Sequence, residues 1–280
     1  MAQAQQTMLR SRTPLSNEQI MHVAPSVFGE EAHASRSDRY AYISTARVLE
    51  GLRNEGFVPM AVGQTRCRDS SKREYTKHML RFQHQDATAM IKVGDERPEL
   101  VLVNSHDGAS AYSLMAGIYR LVCSNGMVVS SGSANEVKVR HSGDVVGNVI
   151  EGSFEVIDSI KRVIPVIEDW KRLDLTYEQR KAYAESALGL RWDADEHGNV
   201  QAPISAVALL TPKRFEDRKD NLWTTFNVAQ ENLIRGGLRG EGSTGKRMTT
   251  RAVGSVTENV KLNKALWALT QRMAELATAQ

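Results

Sequence analysis

Cysteine is nearly absent: only Cys67 and Cys123 occur among 280 residues. They show no Cys-x-x-Cys spacing and no surrounding His/Cys cluster, which excludes a disulfide framework and a zinc knuckle. Long apolar runs are missing too. No segment reaches the length needed to cross a bilayer, and the opening MAQAQQTMLRSRTPLS lacks the apolar centre of a secretory signal. The expectation is a cytoplasmic protein with no membrane partner. Charge of one sign is also scarce. The formal net charge is only +3, far from a histone-like tail, so its distribution matters more than its sum.

What is present is enough apolar residue, 41%, to bury a full core in one large domain or two modest ones. The pattern predicts an α+β fold: an N-terminal helix and an antiparallel sheet packed with a long helix, followed by a helical C-terminal half. Residues 1–15, poor in apolar anchors, read as a flexible arm. Residues 16–175 form the expected α+β core, and residues 176–280 a helical region packed on it.

Within the core, Ser44 is placed to cap a helix carrying Val48, Leu49 and Leu52, stopped by Gly56. Short strand-like segments follow, FVPMAV, HMLRFQH, ELVLVN, YSLMAGIYRLVC and MVVS, with Ser124-Asn125-Gly126 expected as a tight hairpin turn. YSLMAGIYRLVC, apolar on both faces, belongs at the sheet centre. Ile150, Phe154, Ile157, Ile160, Ile164 and Ile167 then mark a long amphipathic helix that Pro165 should kink or end. Thr176-Tyr-Glu-Gln179 reads as a capping box opening a helix that stops near Gly189. Two more helices are expected, over 220–234 and from Thr257 onward, the last with Leu262, Leu266, Leu269, Met273 and Leu276 as a packing stripe.

One motif asks for a test. Gly240-Glu-Gly-Ser-Thr-Gly-Lys-Arg247 lies within one residue of a nucleotide-binding P-loop. A working P-loop needs a buried strand before it, amides wrapped around phosphate, and a helix opening with Lys and Ser/Thr. Here the preceding NLWTTFNVAQENLIRGG has helical periodicity, and Arg247 replaces the hydroxyl residue that would hold magnesium. No later apolar strand ends in Asp. Nucleotide hydrolysis is therefore not expected, and no cofactor is called for.

What remains is a basic, glycine-rich loop over 235–251. From 235 to 264 seven basic residues, Arg235, Arg239, Lys246, Arg247, Arg251, Lys261 and Lys264, face only Glu241 and Glu258. That local excess is larger than the charge of the whole chain. A second cationic stretch holds Arg66, Arg68, Lys72, Arg73, Lys77 and Arg81 against Asp69 and Glu74, on or between expected strands. Such segments suit nucleic-acid phosphates. Trp223, Asn227, Gln230 and Glu231 form a polar-aromatic strip, of which Trp223, Asn227 and Gln230 are the candidates for base contacts.

The remaining chemistry is thin. His106-Asp107-Gly108 fits a turn better than a catalytic pair. His78 and His84 lack a third ligand at metal spacing. Asp193, Asp195 and Glu196 read as a solvated loop, and Cys123 as a buried thiol.

The stretches NSHDGASAYSLMAGIYRLVCSNGMVVS, RYAYISTARVLEGLRNEGF and KHMLRFQH, with the late NLWTTFNVAQENLIRGG, resemble a bacterial phage and plasmid protein family known as a domain of unknown function. The resemblance runs from Arg39 to Leu276. It implies a mobile-element protein acting on DNA or against host defence, and it supplies no catalytic site. The expected activity is non-enzymatic: an oligomeric protein that binds single-stranded DNA and anneals complementary strands. Arg235, Arg239, Lys246, Arg247 and Arg251 would contact phosphates, assisted by Arg66, Arg68, Lys72 and Arg73. The alternatives are a module that binds a host protein and an enzyme on a small phosphorylated ligand centred on His106 and Asp107.

Overall fold

A computed structural model describes residues 8–31, 42, 44–66, 69–85, 96–107, 112–120, 125–128, 136–138, 144–242 and 245–279. The chain packs as two units, residues 1–161 with 254–256, and residues 162–253 with 257–280. The fold class is α+β.

The first unit is built on an antiparallel sheet whose strands follow chain order: β1 (Met8–Arg10), β2 (Phe57–Gln64), β3 (His78–His84), β4 (Glu96–Asn104), β5 (Ser113–Arg120) and β6 (Asn125–Val128), with β7 (Glu136–Lys138) also on β5. β3 and β5 are buried along nearly their whole length; the two-sided apolar pattern of β5 accounts for its burial, whereas β3 buries Arg81 and Gln83 as well. Helix α1 (Asn17–Val23) opens on a capping box at Ser16, and α2 (Thr45–Asn54) on Ser44. Val48, Leu49 and Leu52 are buried as expected. Pro59 stands opposite Phe82 beside a β-bulge, the register slipping between Pro59 and Ala61.

Two expectations fail here. The arm over 1–15 is ordered from residue 8: β1 pairs with β2, and Leu15 is buried while its N–H reaches Pro59 O at 2.8 Å. Asn125 and Gly126 are not the hairpin turn. They sit inside β6, opposite Arg120 and Tyr119, so the connection lies over 121–124, outside the described residues. The local preference of Asn-Gly yielded to strand pairing that only the partner strand determines.

One feature ties the sheet across three strands. Arg10, Ala61 and Arg81 stand in one cross-strand row, and the small Ala61 leaves both guanidinium groups free to converge on Glu99 of β4. Glu99 is fully buried. It accepts from Arg10 Nη1 at 2.7 Å and Nη2 at 3.2 Å, from Arg81 Nη1 at 2.8 Å, and from Gln83 Nε2 at 3.3 Å. Burial alone would raise its pKa, but the two guanidinium groups hold it below the usual carboxylate range. Arg10 also lies 4.2 Å over the Tyr119 ring.

Helix α3 (Val145–Arg172) runs through Pro165 without ending there. Val163, Ile167 and Trp170 are buried on either side of the proline, and that packing offsets the one lost backbone bond. The second unit adds α4 (Tyr177–Gly189), α5 (Ala206–Leu209), α6 (Leu222–Arg235) and α7 (Val256–Thr278). α4 opens with the expected capping box, the Gln179 N–H to Thr176 Oγ1 and the Thr176 N–H to Gln179 Oε1. An aromatic cluster of Trp170, Trp223, Phe226 and Trp267 forms its core, with Trp170 and Trp267 centroids 4.6 Å apart. Leu262 and Leu266 of α7 are buried, whereas Leu276 is exposed.

Candidate nucleic-acid interface

The glycine-rich segment folds as a β-hairpin in the second unit. β8 (Arg239–Glu241) pairs antiparallel with β9 (Arg247–Thr249), so the near-P-loop is a hairpin leaving a helix C-terminus, not a strand entering a helix. Gly236 closes α6 at φ 65°, and a Cβ there would lie 2.6 Å from Thr250 O. Only glycine fits.

The hairpin is anchored at its root. The Gly237 N–H donates to Thr250 O and the Thr250 N–H to Leu238 O, at 2.8 and 2.9 Å, and the Val253 N–H reaches Ile234 O. The Arg191 guanidinium donates to Leu233 O and Arg251 O, the carbonyls on either side of the hairpin. Burial lowers its pKa, with Glu258 acting the other way.

Strand alternation sorts the side chains. Arg239, Glu241, Arg247 and Thr249 share one face, Gly240 and Met248 the other. Gly240 lies against the chain: a Cβ would fall 1.8 Å from Pro203 O, and the Glu241 N–H donates to that same carbonyl at 2.8 Å. The face of Arg239 and Arg247 therefore points outward. Gly240→Ala should push the hairpin off this seat at a cost of about 1–3 kcal/mol. Hydrogen exchange at the Glu241 amide should accelerate accordingly, and unchanged protection there would contradict the seating.

Arg239, Lys246, Arg247 and Arg251 are exposed and make no ion pair among the described residues. Arg235 differs, since its Nη1 leans toward Glu231 at 3.4 Å, a carboxylate also held bidentately by Arg214. Both strands border an open groove of about 670 Å³. Among its described lining residues Glu241, opposite Arg247, is the only acid.

The other cationic stretch lies in the first unit. Arg66 and Lys72 are exposed and Arg73 is half-buried; Arg68 lies outside the described residues. Lys72 and Arg73 sit on a 3-10 turn over Ser70–Tyr75, capped by Asp69, between β2 and β3. Arg81 points inward to Glu99 and is removed from any surface role.

The base-contact strip is overturned. Trp223, Asn227 and Gln230 are 2%, 1% and 1% exposed. Asn227 Nδ2 donates to Trp223 O, and Gln230 Nε2 to Asn263 Oδ1 at 2.9 Å. α6 is buried on every side from Leu222 to Leu233, and its buried amides donate to backbone carbonyls and to Asn263 of α7. The signal was in the sequence: residues 222–230 contain no charge.

His106 is buried, its ring 5.2 Å from that of His78 and 5.0 Å from that of Tyr42, and burial lowers its pKa. Beside it runs a closed polar network. Ser26 Oγ donates to Gln64 Oε1 at 2.8 Å and lies 2.9 Å from His78 Nδ1; Thr45 Oγ1 lies 3.0 Å from His78 Nε2 and accepts from Asn104 Nδ2. Among the described residues no cluster of His, Cys, Asp and Glu has the makings of a metal site. Sequence reading missed a further group in the second unit, Arg180, Phe215, Arg218, Lys219 and Thr224, although KRFEDRK interleaves cations with an aromatic.

An antiparallel-sheet unit and a helical unit carrying a cationic hairpin define an α+β protein with an exposed basic arm. The chain belongs to the family described as Domain of unknown function (DUF932), whose model matches residues 32–267. It is similar to two Escherichia coli (strain K12) proteins, UPF0380 protein YafZ and UPF0380 protein YfjQ. Each is 42% identical over 266 residues, covering 95% of this chain and 94% of the relative. No solved structure matches it. No helix among the described residues is long and apolar enough to cross a membrane.

Proposed function

We propose that the protein binds single-stranded DNA through the β8–β9 hairpin and pairs complementary strands. The observation that carries this reading is the exposed set Arg239, Lys246, Arg247 and Arg251, free of ion pairs among the described residues on an arm seated by Gly240 and Arg191. Unpaired exposed cations release counterions from a phosphate backbone without first giving up a carboxylate partner. Annealing needs no nucleotide and no metal. It requires neutralised backbones and bases left free, and two strands call for two hairpins, which a homo-oligomer supplies.

Anisotropy of a labelled oligothymidylate over a salt series tests it. Affinity should fall steeply with salt, and the triple variant Arg239→Ala/Lys246→Ala/Arg247→Ala should weaken binding about tenfold to hundredfold. Its log–log salt slope should flatten by about two, near 0.7 per lost single-strand phosphate contact. Absent binding at low salt, or a slope unmoved in the triple variant, would sink the reading.

A further inference from the structure

The second unit holds a pocket that the hairpin does not use. It is a cavity of about 130 Å³ at the N-terminus of α6, lined by Arg180, Arg218, Lys219, Thr224 and Asp217 among others. That volume is on the order of four water molecules, room for a tetrahedral oxyanion. Three cations face one carboxylate, and Asp217 is already paired with Arg214 at 3.0 Å. Arg180 is shared with Asp220 at 2.5 Å. Arg218 and Lys219 are exposed and form no ion pair among the described residues.

The helix end adds field more than donors. Asn221 caps α6, so the Thr224 N–H donates to Asn221 Oδ1, and the Leu222 N–H is spent on Leu173 O. No acidic residue lies in the first turn to oppose an anion. The side chains settle the matter. Thr225 Oγ1 turns back to Asn221 O, whereas Thr224, only 4% exposed and lining the pocket, makes no side-chain hydrogen bond among the described residues. The hydroxyl of this nearly buried threonine, open to the pocket beside three cations, is a donor awaiting an acceptor.

Next to this pocket stands an aromatic platform. Phe215 is 78% exposed, the most exposed large apolar side chain among the described residues. The Arg218 guanidinium lies 5.4 Å over its ring while also lining the pocket, and the Arg218 N–H donates to Phe215 O at 3.1 Å. One residue thus joins an oxyanion hole to a free π-face.

We propose that this is a nucleotide site: Arg180, Arg218, Lys219 and Thr224 hold a phosphate, and the attached base stacks on Phe215. Phosphate alone would leave the exposed ring unexplained, and a base alone would leave Thr224 and the cations unexplained. The site lies apart from the hairpin residues and stands whether or not they bind DNA.

Calorimetric titration of the full chain with thymidine monophosphate, thymidine and inorganic phosphate tests it. The monophosphate should bind, thymidine should not, and inorganic phosphate should bind about tenfold more weakly than the monophosphate. Arg218→Ala and Thr224→Val should each weaken the monophosphate about tenfold. Phe215→Ala, at a solvent-exposed ring that folding does not need, should lower monophosphate affinity to that of inorganic phosphate and leave the latter unchanged. The hairpin triple variant should bind the monophosphate like the parent, separating this site's failure from that of the DNA reading. Oligothymidylate with and without a 5′-phosphate identifies the source: a preference for the phosphorylated end supports a terminal monoester, equal binding that Arg218→Ala weakens supports a backbone diester. No binding of either phosphate ligand, or parent-like binding by both Arg218→Ala and Thr224→Val, overturns the site.

Discussion

Glu99→Ala should cost the first unit about 3–5 kcal/mol, because it strands the buried Arg81 guanidinium without its counter-charge. Arg81 is 2% exposed, and Met127 O accepts from it only at a long 3.3 Å. Arg10, 16% exposed at its side chain, can swing toward water and loses less. The loss is read best from hydrogen exchange of β3 and β4 amides, since all four tryptophans, Trp170, Trp192, Trp223 and Trp267, lie in the second unit. Arg81→Met combined with Glu99→Leu removes both buried charges and should recover most of the stability. A single Glu99→Ala change within about 1 kcal/mol of the parent would show that the ion cluster holds little together.

Acid should weaken the same unit well before ordinary carboxylates titrate. Burial, and then the neighbouring His106, pushes the His78 pKa down to about 3. Its hydrogen bonds agree with a neutral ring. Ser26 Oγ gives its proton to Gln64 and so accepts from Nδ1–H, while Thr45 Oγ1 accepts from Asn104 and so donates to Nε2. A second proton on the ring would leave the Thr45 hydroxyl hydrogen facing another donor. The unfolded chain takes up that proton near pH 6.5 and the folded chain only near 3, so between these values unfolding binds a proton. Stability is then complete above about pH 6.5 and falls by roughly 1.4 kcal/mol per pH unit below it. Glu99, with its pKa depressed, acts lower down: its contribution stands above the ordinary carboxylate range and is lost as pH falls through its folded pKa. Unfolding free energies from urea titrations at pH 6.5 and 4.5 should differ by about 2–3 kcal/mol, and His78→Gln should flatten that difference. An equal pH dependence in His78→Gln would place the acid sensitivity elsewhere.

What the sequence disclosed was what short-range physics decides. The Thr176 and Gln179 capping box needs only a four-residue window, and the strand segments FVPMAV and HMLRFQH needed only their own apolar pattern. The basic loop over 235–251 was legible as charge, and the failure of its P-loop reading as a missing hydroxyl. Its hairpin form was not, because Gly240 takes its meaning from Pro203, a carbonyl far back in the chain. Arg81 looked like part of a cationic surface because Glu99, its counter-ion, lies on another strand. Trp223, Asn227 and Gln230 looked like an exposed strip because a helical wheel assigns one face inward, whereas α6 is wrapped all round. Phe215 went unmarked because a single aromatic reads as core until its surroundings are known.

The three residues of β1 have a reach beyond their length. They close the flank of β2, the outermost long strand, and an open flank of that kind templates strands from other chains. A chain clipped after Arg10 would lose one of the two guanidinium groups on Glu99 and bare the flank of β2 over Ala61–Gly63 at once. Proteolytic trimming at this end would therefore lengthen the open edge of the sheet and favour intermolecular cross-β growth.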